Sequence, residues 1–252
     1  MDKLRIISDL HMHDKGRRDD FQQEDELIGF CKGSIAGGYR LIFNGDILEL
    51  WQGGDIDGIF TAYGRFWEYI KGTNSIFIGG NHDADWLRRS LARELWKRYT
   101  ISVYKSLIID TGTKLLNVPE SLCPYARYRS DTPEGGLLVL HGHQYDLLGR
   151  SALGWLATAI AGVIERFWWK DVDLYWSRNN GVLSNQNGAF YEPLRNLAAS
   201  LGVNSVVFSH THKPALVNYE SCRVMNSGSW VNGHSDCIQY DDDGWKTGRC
   251  IK

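Results

Sequence analysis

One recurrence constrains this chain more than any other feature. Five apolar runs of strand character each end in Asp, Asn or His. LRIISDLH ends with Asp9 and His11, RLIFNGD with Asp46, and SIFIGGNHD with Asn81, His82 and Asp83. GLLVLHGH ends with His141 and His143, and NSVVFSHTH with His210 and His212. Side chains alternate along a strand, so His210 and His212 share a face. Of the 8 histidines only His234 lies away from these ends, if His13 is counted with the first. Histidines scattered over a core or a surface would not be distributed in this way.

Between these runs the hydrophobic period changes. DDFQQEDELIGFCKGSI carries Leu27, Cys31 and Ile35 at helical spacing and stops at Gly37-Gly38. IFTAYGRFWEYIKG reads as one helix ending at Gly72, and DWLRRSLARELWKRY as another, with Leu87, Leu91 and Leu95 on one stripe. The rhythm is that of a layered α/β sheet. ISVYKSLIID and KLLNV then read as a hairpin-type pair around Thr111-Gly112. EPLRNLAASLG reads as a helix with Pro193 near its first turn and Gly202 after its last. LVNYE, RVMNSGS and CIQYD make a β-rich C-terminus. In open α/β sheets the carboxyl ends of the strands face one edge, where ligands bind.

Asp, Asn and His are oxygen and nitrogen donors of intermediate hardness, suited to Mn²⁺, Zn²⁺ or Fe. Asp9, His11, Asp46, Asn81, His141, His210 and His212 are too many for one tetrahedral ion. They suit two adjacent divalent metal ions if one carboxylate bridges, and Asp46 is the lone acid on its strand end. Two ions about 3.5–4 Å apart clamp a phosphoryl group and activate a water for in-line attack.

Asp9-x-His11, Gly45-Asp46, Gly80-Asn81-His82-Asp83, His141 and His210-x-His212 resemble, in order and context, the calcineurin-like metallophosphoesterases. The resemblance implies a two-sheet β-sandwich flanked by helices. It implies that Asp9, His11, Asp46 and His212 hold one ion, and Asp46, Asn81, His141 and His210 the other. His82 would act as general acid or hydrogen-bond donor near the phosphate, with Asp83 orienting it. A narrower resemblance is to the UDP-2,3-diacylglucosamine pyrophosphatase branch, through DLH, GDILELWQGGD (Gly45 to Asp55) and a long insertion after His141. That branch carries Arg-Asp-Phe after Asn, where this chain has His82, Asp83 and Ala84. The metal pattern is untouched by this departure, and the substrate is left open.

Several choices stay open at this level. His141 ends its apolar run directly and is preferred over His143 as ligand; His143 then meets substrate or supports the site. His13 reads as a loop histidine near the site. The stretch from Leu148 to Trp169 is an unusually apolar amphipathic helix. Within an insertion at 144–188 of one domain spanning 1–252, it is a cap over the site, a peripheral membrane contact, or core. Arg150 and Arg166, near its two ends, are candidate substrate contacts.

Composition narrows the function class. The net charge is −2, from 28 basic and 30 acidic residues, so no specific nucleic-acid partner is expected and a nuclease is disfavoured. The 5 cysteines are odd in number with no CxxC pair and read as reduced thiols, and the N-terminus runs straight into a strand pattern with no signal-peptide pattern; a cytoplasmic protein is expected. The expected activity is hydrolysis of a small-molecule phosphodiester, phosphomonoester or pyrophosphate, nucleotide-linked or phospholipid-like. Manganese is the first choice of ion. A non-catalytic scaffold of the same fold is the competing class.

Overall fold

A computed structural model describes residues 3–14, 21–52, 55–83, 97–99, 103–104, 106–110, 125–129, 136–145 and 186–251. The apolar runs become strands: β1 (Lys3–Ile7), β2 (Tyr39–Asn44), β3 (Ile76–Ile78), β4 (Val103–Tyr104), β5 (Ser106–Asp110), β6 (Tyr125–Arg129), β7 (Gly136–Leu140) and β8 (Val203–Phe208). The C-terminal strands are β9 (Ala215–Asn218), β10 (Arg223–Asn226), β11 (Asp236–Asp241) and β12 (Gly244–Arg249). The helices α1 (Glu24–Ala36), α2 (Ile56–Ala62), α3 (Gly64–Ile70) and α4 (Gln186–Leu201) accompany them, and residues 97–99 are helical as well.

The strands form two six-stranded sheets, ordered β12-β11-β1-β2-β3-β4 and β6-β5-β7-β8-β10-β9. Strands β1 to β4 run parallel, as do β7, β8 and β10. Alternation along the strands builds the layers. In β7, Leu137 and Val139 join Ile6, Ile42, Ile78, Val207 and Met225 in one buried cluster between the sheets. Leu138 and Leu140 turn outward onto Phe190, Leu194, Ala198 and Leu201 of α4. On the far side Leu41, Phe43 and Phe77 pack with residues of α1, α2 and α3. The expected two-sheet α/β sandwich flanked by helices is therefore the fold, and it sets the polar ends of β1, β2, β3, β7 and β8 side by side.

Several local expectations are corrected. The helix read as one piece breaks at Tyr63, whose hydroxyl donates to the Phe21 carbonyl at 2.7 Å. In α1, Ile35 is 39% exposed, while Ser34 is buried and accepts a hydrogen bond from Arg5. Eight residues past Leu27 the helix has drifted roughly 80° beyond the stripe at 3.6 residues per turn, so Ser34 sits closer to it than Ile35. Pro193 lies inside α4, not at its first turn. The buried stripe Phe190, Leu194, Ala198 and Leu201 outweighs the hydrogen bond the proline cannot make. The stretch ISVYKSLIID splits: β4 joins the first sheet, and β5 the second, where it pairs with β6 and β7.

Cys237 and Cys250 form a disulfide joining the start of β11 to the residue after β12, which corrects the reading of all cysteines as reduced. Cys31 and Cys222 are free and buried. Among the described residues no helix is long and apolar enough to cross a membrane. The KLLNV strand, the Leu87–Leu95 helix, the Leu148–Trp169 helix, Cys123, Arg150 and Arg166 lie outside the described residues.

Candidate metal centre

Asp9 and His11 leave the end of β1, Asp46 the end of β2, and Asn81 and His82 the end of β3. His141 follows β7, and His210 and His212 follow β8. Backbone bonds lock these ends together. Asp9 N–H donates to Gly45 O at 3.0 Å and His11 N–H to Asp46 O at 2.9 Å. His82 N–H donates to Asp46 Oδ1 at 2.8 Å.

This local packing needs unusual backbone. Among the described residues six non-glycine residues have positive φ, and five of them are Asp9 (53°), His11 (47°), Asp46 (50°), His210 (72°) and His212 (57°). Such conformations cost about 1–3 kcal/mol each and persist only where the surroundings enforce them. The flanking glycines are steric necessities. A Cβ on Gly45 would lie 2.6 Å from His141 Cγ, and one on Gly80 would run into the Asp46 carboxylate.

Among the described residues three groups of potential ligand atoms lie within 4.8 Å of one another: Asp9–His11–His212, Asp46–His141–His210 and, sharing His11, His11–Glu49–His82. In the first, His212 Nε2 lies 3.1 Å from Asp9 Oδ1 and 3.3 Å from His11 Nε2. In the second, His141 Nε2 lies 3.0 Å from Asp46 Oδ2 and 3.2 Å from Asn81 Oδ1. The same Asp46 Oδ2 is 3.9 Å from His11 Nε2, so one carboxylate oxygen stands between the first two groups. His141 is buried within its group; His143, on a 3₁₀ turn, lies outside these groups with its ring 5.4 Å from that of His141.

The donors suit divalent cations on structural grounds. Asp9 Oδ1 is fully buried, and the His212 ring faces it at 3.1 Å. Charge tells the same story. Burial alone would raise the Asp9 and Asp46 carboxyl pKa values, but the facing histidines hold Asp9 below its usual range and Asp46 well below it. Burial alone would lower His11 and His141, but Glu49 and Asp46 push His11 up to about 10, and chiefly Asp46 pushes His141 up to about 9. Burial keeps His212 below its ordinary value. Protons on His11 and His141 thus occupy the place where cations would balance buried carboxylates.

The outer nitrogens are also fixed. His141 Nδ1–H is shared between Asn44 O at 3.0 Å and Ser209 Oγ at 2.7 Å, which turns Nε2 towards Asp46. Asn226 Nδ2 donates to Ser209 O and to Thr211 Oγ1, bracing the turn that carries His210 and His212. Partners of this kind fix tautomer and ring direction for a metal ligand.

His82 corrects one expectation. Asp83 does not orient it: Asp83 Oδ1 accepts from Ile47 N and Leu48 N, and Oδ2 from Gly80 N, so this carboxylate holds the loops of Asp46 and Asn81. Burial and the nearby Asp46 charge raise its pKa to about 6. Glu49 takes the orienting place, with Oε2 2.6 Å from His82 Nδ1 and 2.8 Å from His11 Nδ1. Despite burial, which would lower it, His82 is raised by Glu49 and Asp46. Glu49 was missed in the sequence, although it is an acid inside the apolar stretch ILELW directly after a candidate ligand.

A sequence profile of the calcineurin-like phosphoesterases matches residues 3–214. The chain belongs to that family. Membership agrees with the two-sheet fold and implies divalent metals, for which the first two ligand groups are the candidates. Among solved structures the chain is similar to TT1561 of Thermus thermophilus (9% identity, TM-score 0.49, covering 99% of each chain). It is also similar to the phosphoesterase Yfce from E. coli (15% identity, TM-score 0.47, covering 98% of this chain and 93% of that one). A third is an archaeal phosphodiesterase (14% identity, TM-score 0.43, covering 98% of each chain). No curated protein matches the sequence.

Proposed function

We propose that this calcineurin-like phosphoesterase is a two-ion, metal-dependent hydrolase of a phosphate ester or pyrophosphate. One observation carries the reading: Asp46 Oδ2 lies 3.0 Å from His141 Nε2 and 3.9 Å from His11 Nε2, between two largely buried ligand groups. Asp9, His11, Asp46 and His212 would hold one cation, and Asp46, Asn81, His141 and His210 the other. Bound cations there supply Lewis acidity, offsetting charge on phosphoryl oxygens and lowering the pKa of a water.

The chain's own groups do the rest. His82, held at Nδ1 by Glu49, keeps a proton for the leaving-group oxygen. Asp83 keeps the Asp46 and Asn81 loops in register through three backbone N–H groups. His143, half-buried beside His141, is proposed to meet substrate, with Arg150 and Arg166 as further proposed contacts.

The substrate proposed is a nucleotide-linked or lipid-like ester or pyrophosphate such as UDP-2,3-diacylglucosamine. GDILELWQGGD and the apolar stretch within 144–188, read as a cap on a single domain that also touches a membrane surface, support it. Manganese is the proposed ion, and the cytoplasm the proposed location.

The test is a panel of phosphomonoesters, phosphodiesters and nucleotide pyrophosphates, presented to protein reconstituted with Mn²⁺, Zn²⁺ or Fe²⁺. Metal-dependent turnover of at least one class, abolished in Asp46→Ala together with metal binding, is expected. Two bound metal equivalents with no turnover across the panel would favour a scaffold.

A further inference from the structure

We propose that Trp51 is a positioning residue for His82, fixing the plane of the imidazole that the Glu49 hydrogen bond alone leaves free to tilt. The inference rests on the proposed role of His82 as proton donor to the leaving group. The Trp51 indole is buried and stacks on the His82 ring, with centroids 4.9 Å apart and planes 26° from parallel. The His11 ring approaches His82 at 4.6 Å, edge-on at 74°. Glu49 Oε2 takes Nδ1 at 2.6 Å. His82 is thereby held at one nitrogen, against one face and along one edge, and 16% of its side chain stays open.

Each restraint does something different. A hydrogen bond tolerates about 30° of bend. Such a tilt swings Nε2 along an arc approaching an ångström, and a misplacement of about 1 Å can cost about 100-fold in rate. Contact with an extended aromatic face resists that tilt. The platform is itself braced by the groups it serves. Trp51 N–H and Gln52 N–H both donate to Glu49 Oε1 at 3.0 Å, and Leu50 N–H donates to the His82 carbonyl at 3.0 Å. The two oxygens of Glu49 are divided: one holds the turn that presents the indole, and the other holds the imidazoles.

The experiment compares Trp51→Phe, which keeps a ring, with Trp51→Met, which keeps an apolar side chain without one, each in Mn²⁺-loaded protein. Substrates are bis(p-nitrophenyl) phosphate, whose leaving group needs little protonation, and diphenyl phosphate, whose leaving group needs more. Trp51→Met is expected to lose about tenfold or more in kcat on diphenyl phosphate beyond any loss on the nitrophenyl ester, with KM and Mn²⁺ affinity unchanged. Trp51→Phe is expected to recover most of it. Equal losses on both substrates, a parallel fall in Mn²⁺ affinity, or Phe no better than Met would overturn the inference. His82→Ala is the separating control. If it loses no more on diphenyl phosphate than on the nitrophenyl ester, the proton-donor reading itself falls; if it does and Trp51→Met does not, only the role of Trp51 falls.

Discussion

Glu49 Oε2 lies 2.6 Å from His82 Nδ1, and the same oxygen lies 2.8 Å from His11 Nδ1. A single buried carboxylate therefore directs a candidate metal ligand and the candidate proton donor together. Opposite charge from His82 and His11 holds its pKa well below the usual range despite burial.

Glu49→Gln separates the two duties of this side chain. An amide can still accept from Trp51 N and Gln52 N, but its NH₂ then faces two imidazole N–H groups. Isothermal titration with Mn²⁺ should show an affinity about 10–100-fold weaker at one of two sites. Glu49→Ala leaves all these donors unpaired in a buried setting and should cost about 3–5 kcal/mol in urea unfolding. Wild-type Mn²⁺ affinity in the Gln variant would show that Glu49 does not steer His11.

Metal binding should strengthen with pH. The folded pKa values of His11, about 10, and His141, about 9, lie above the unfolded value near 6.5. Their contribution to apo stability is fully present below about pH 6.5 and is lost as pH rises through 9 to 10. A cation must displace these protons, so the Mn²⁺-induced rise in melting temperature should grow from pH 6.5 to 9. A pH-independent rise would contradict the protonation of these rings.

Asp83→Asn should act on the loops and not on His82. An amide cannot accept from Gly80 N with one end and from Ile47 N and Leu48 N with the other. Mn²⁺ affinity and stability should fall together, by about 1–3 kcal/mol in stability. The ratio of diphenyl to bis(p-nitrophenyl) phosphate turnover should stay unchanged in the protein saturated with Mn²⁺.

Glycine replacements should divide by position. Gly80→Ala drives a methyl into the Asp46 carboxylate and should abolish the second ligand group, read as lost Mn²⁺ stoichiometry. Gly33, inside α1 with nothing within 4 Å of an added Cβ, should instead stabilise by about 0.5–1 kcal/mol as Gly33→Ala. Thermal unfolding of both variants checks the contrast.

Much of this was legible in the chain because it depends on short-range pattern. Apolar runs such as LRIIS and LLVL alternate their side chains between two packed layers, so their β character and their polar ends show in the letters themselves. The residues gathered at the site, Asp9, His11, Asp46, Asn81, His141, His210 and His212, all lie at such ends. What the sequence could not express is who faces whom. Glu49 and Asp83 are both acids a few residues beyond a strand end, and only the folded loops decide that Glu49 reaches His82 while Asp83 turns back onto Ile47, Leu48 and Gly80. The positive φ at five site residues, the Trp51–His82 stack and the Cys237–Cys250 bond arise the same way. Pattern along the chain determined which residues reach the sheet edge. Contacts between segments far apart in sequence decided what each one does there, because a hydrogen bond or a ring stack depends on ångström-scale approach that spacing does not encode.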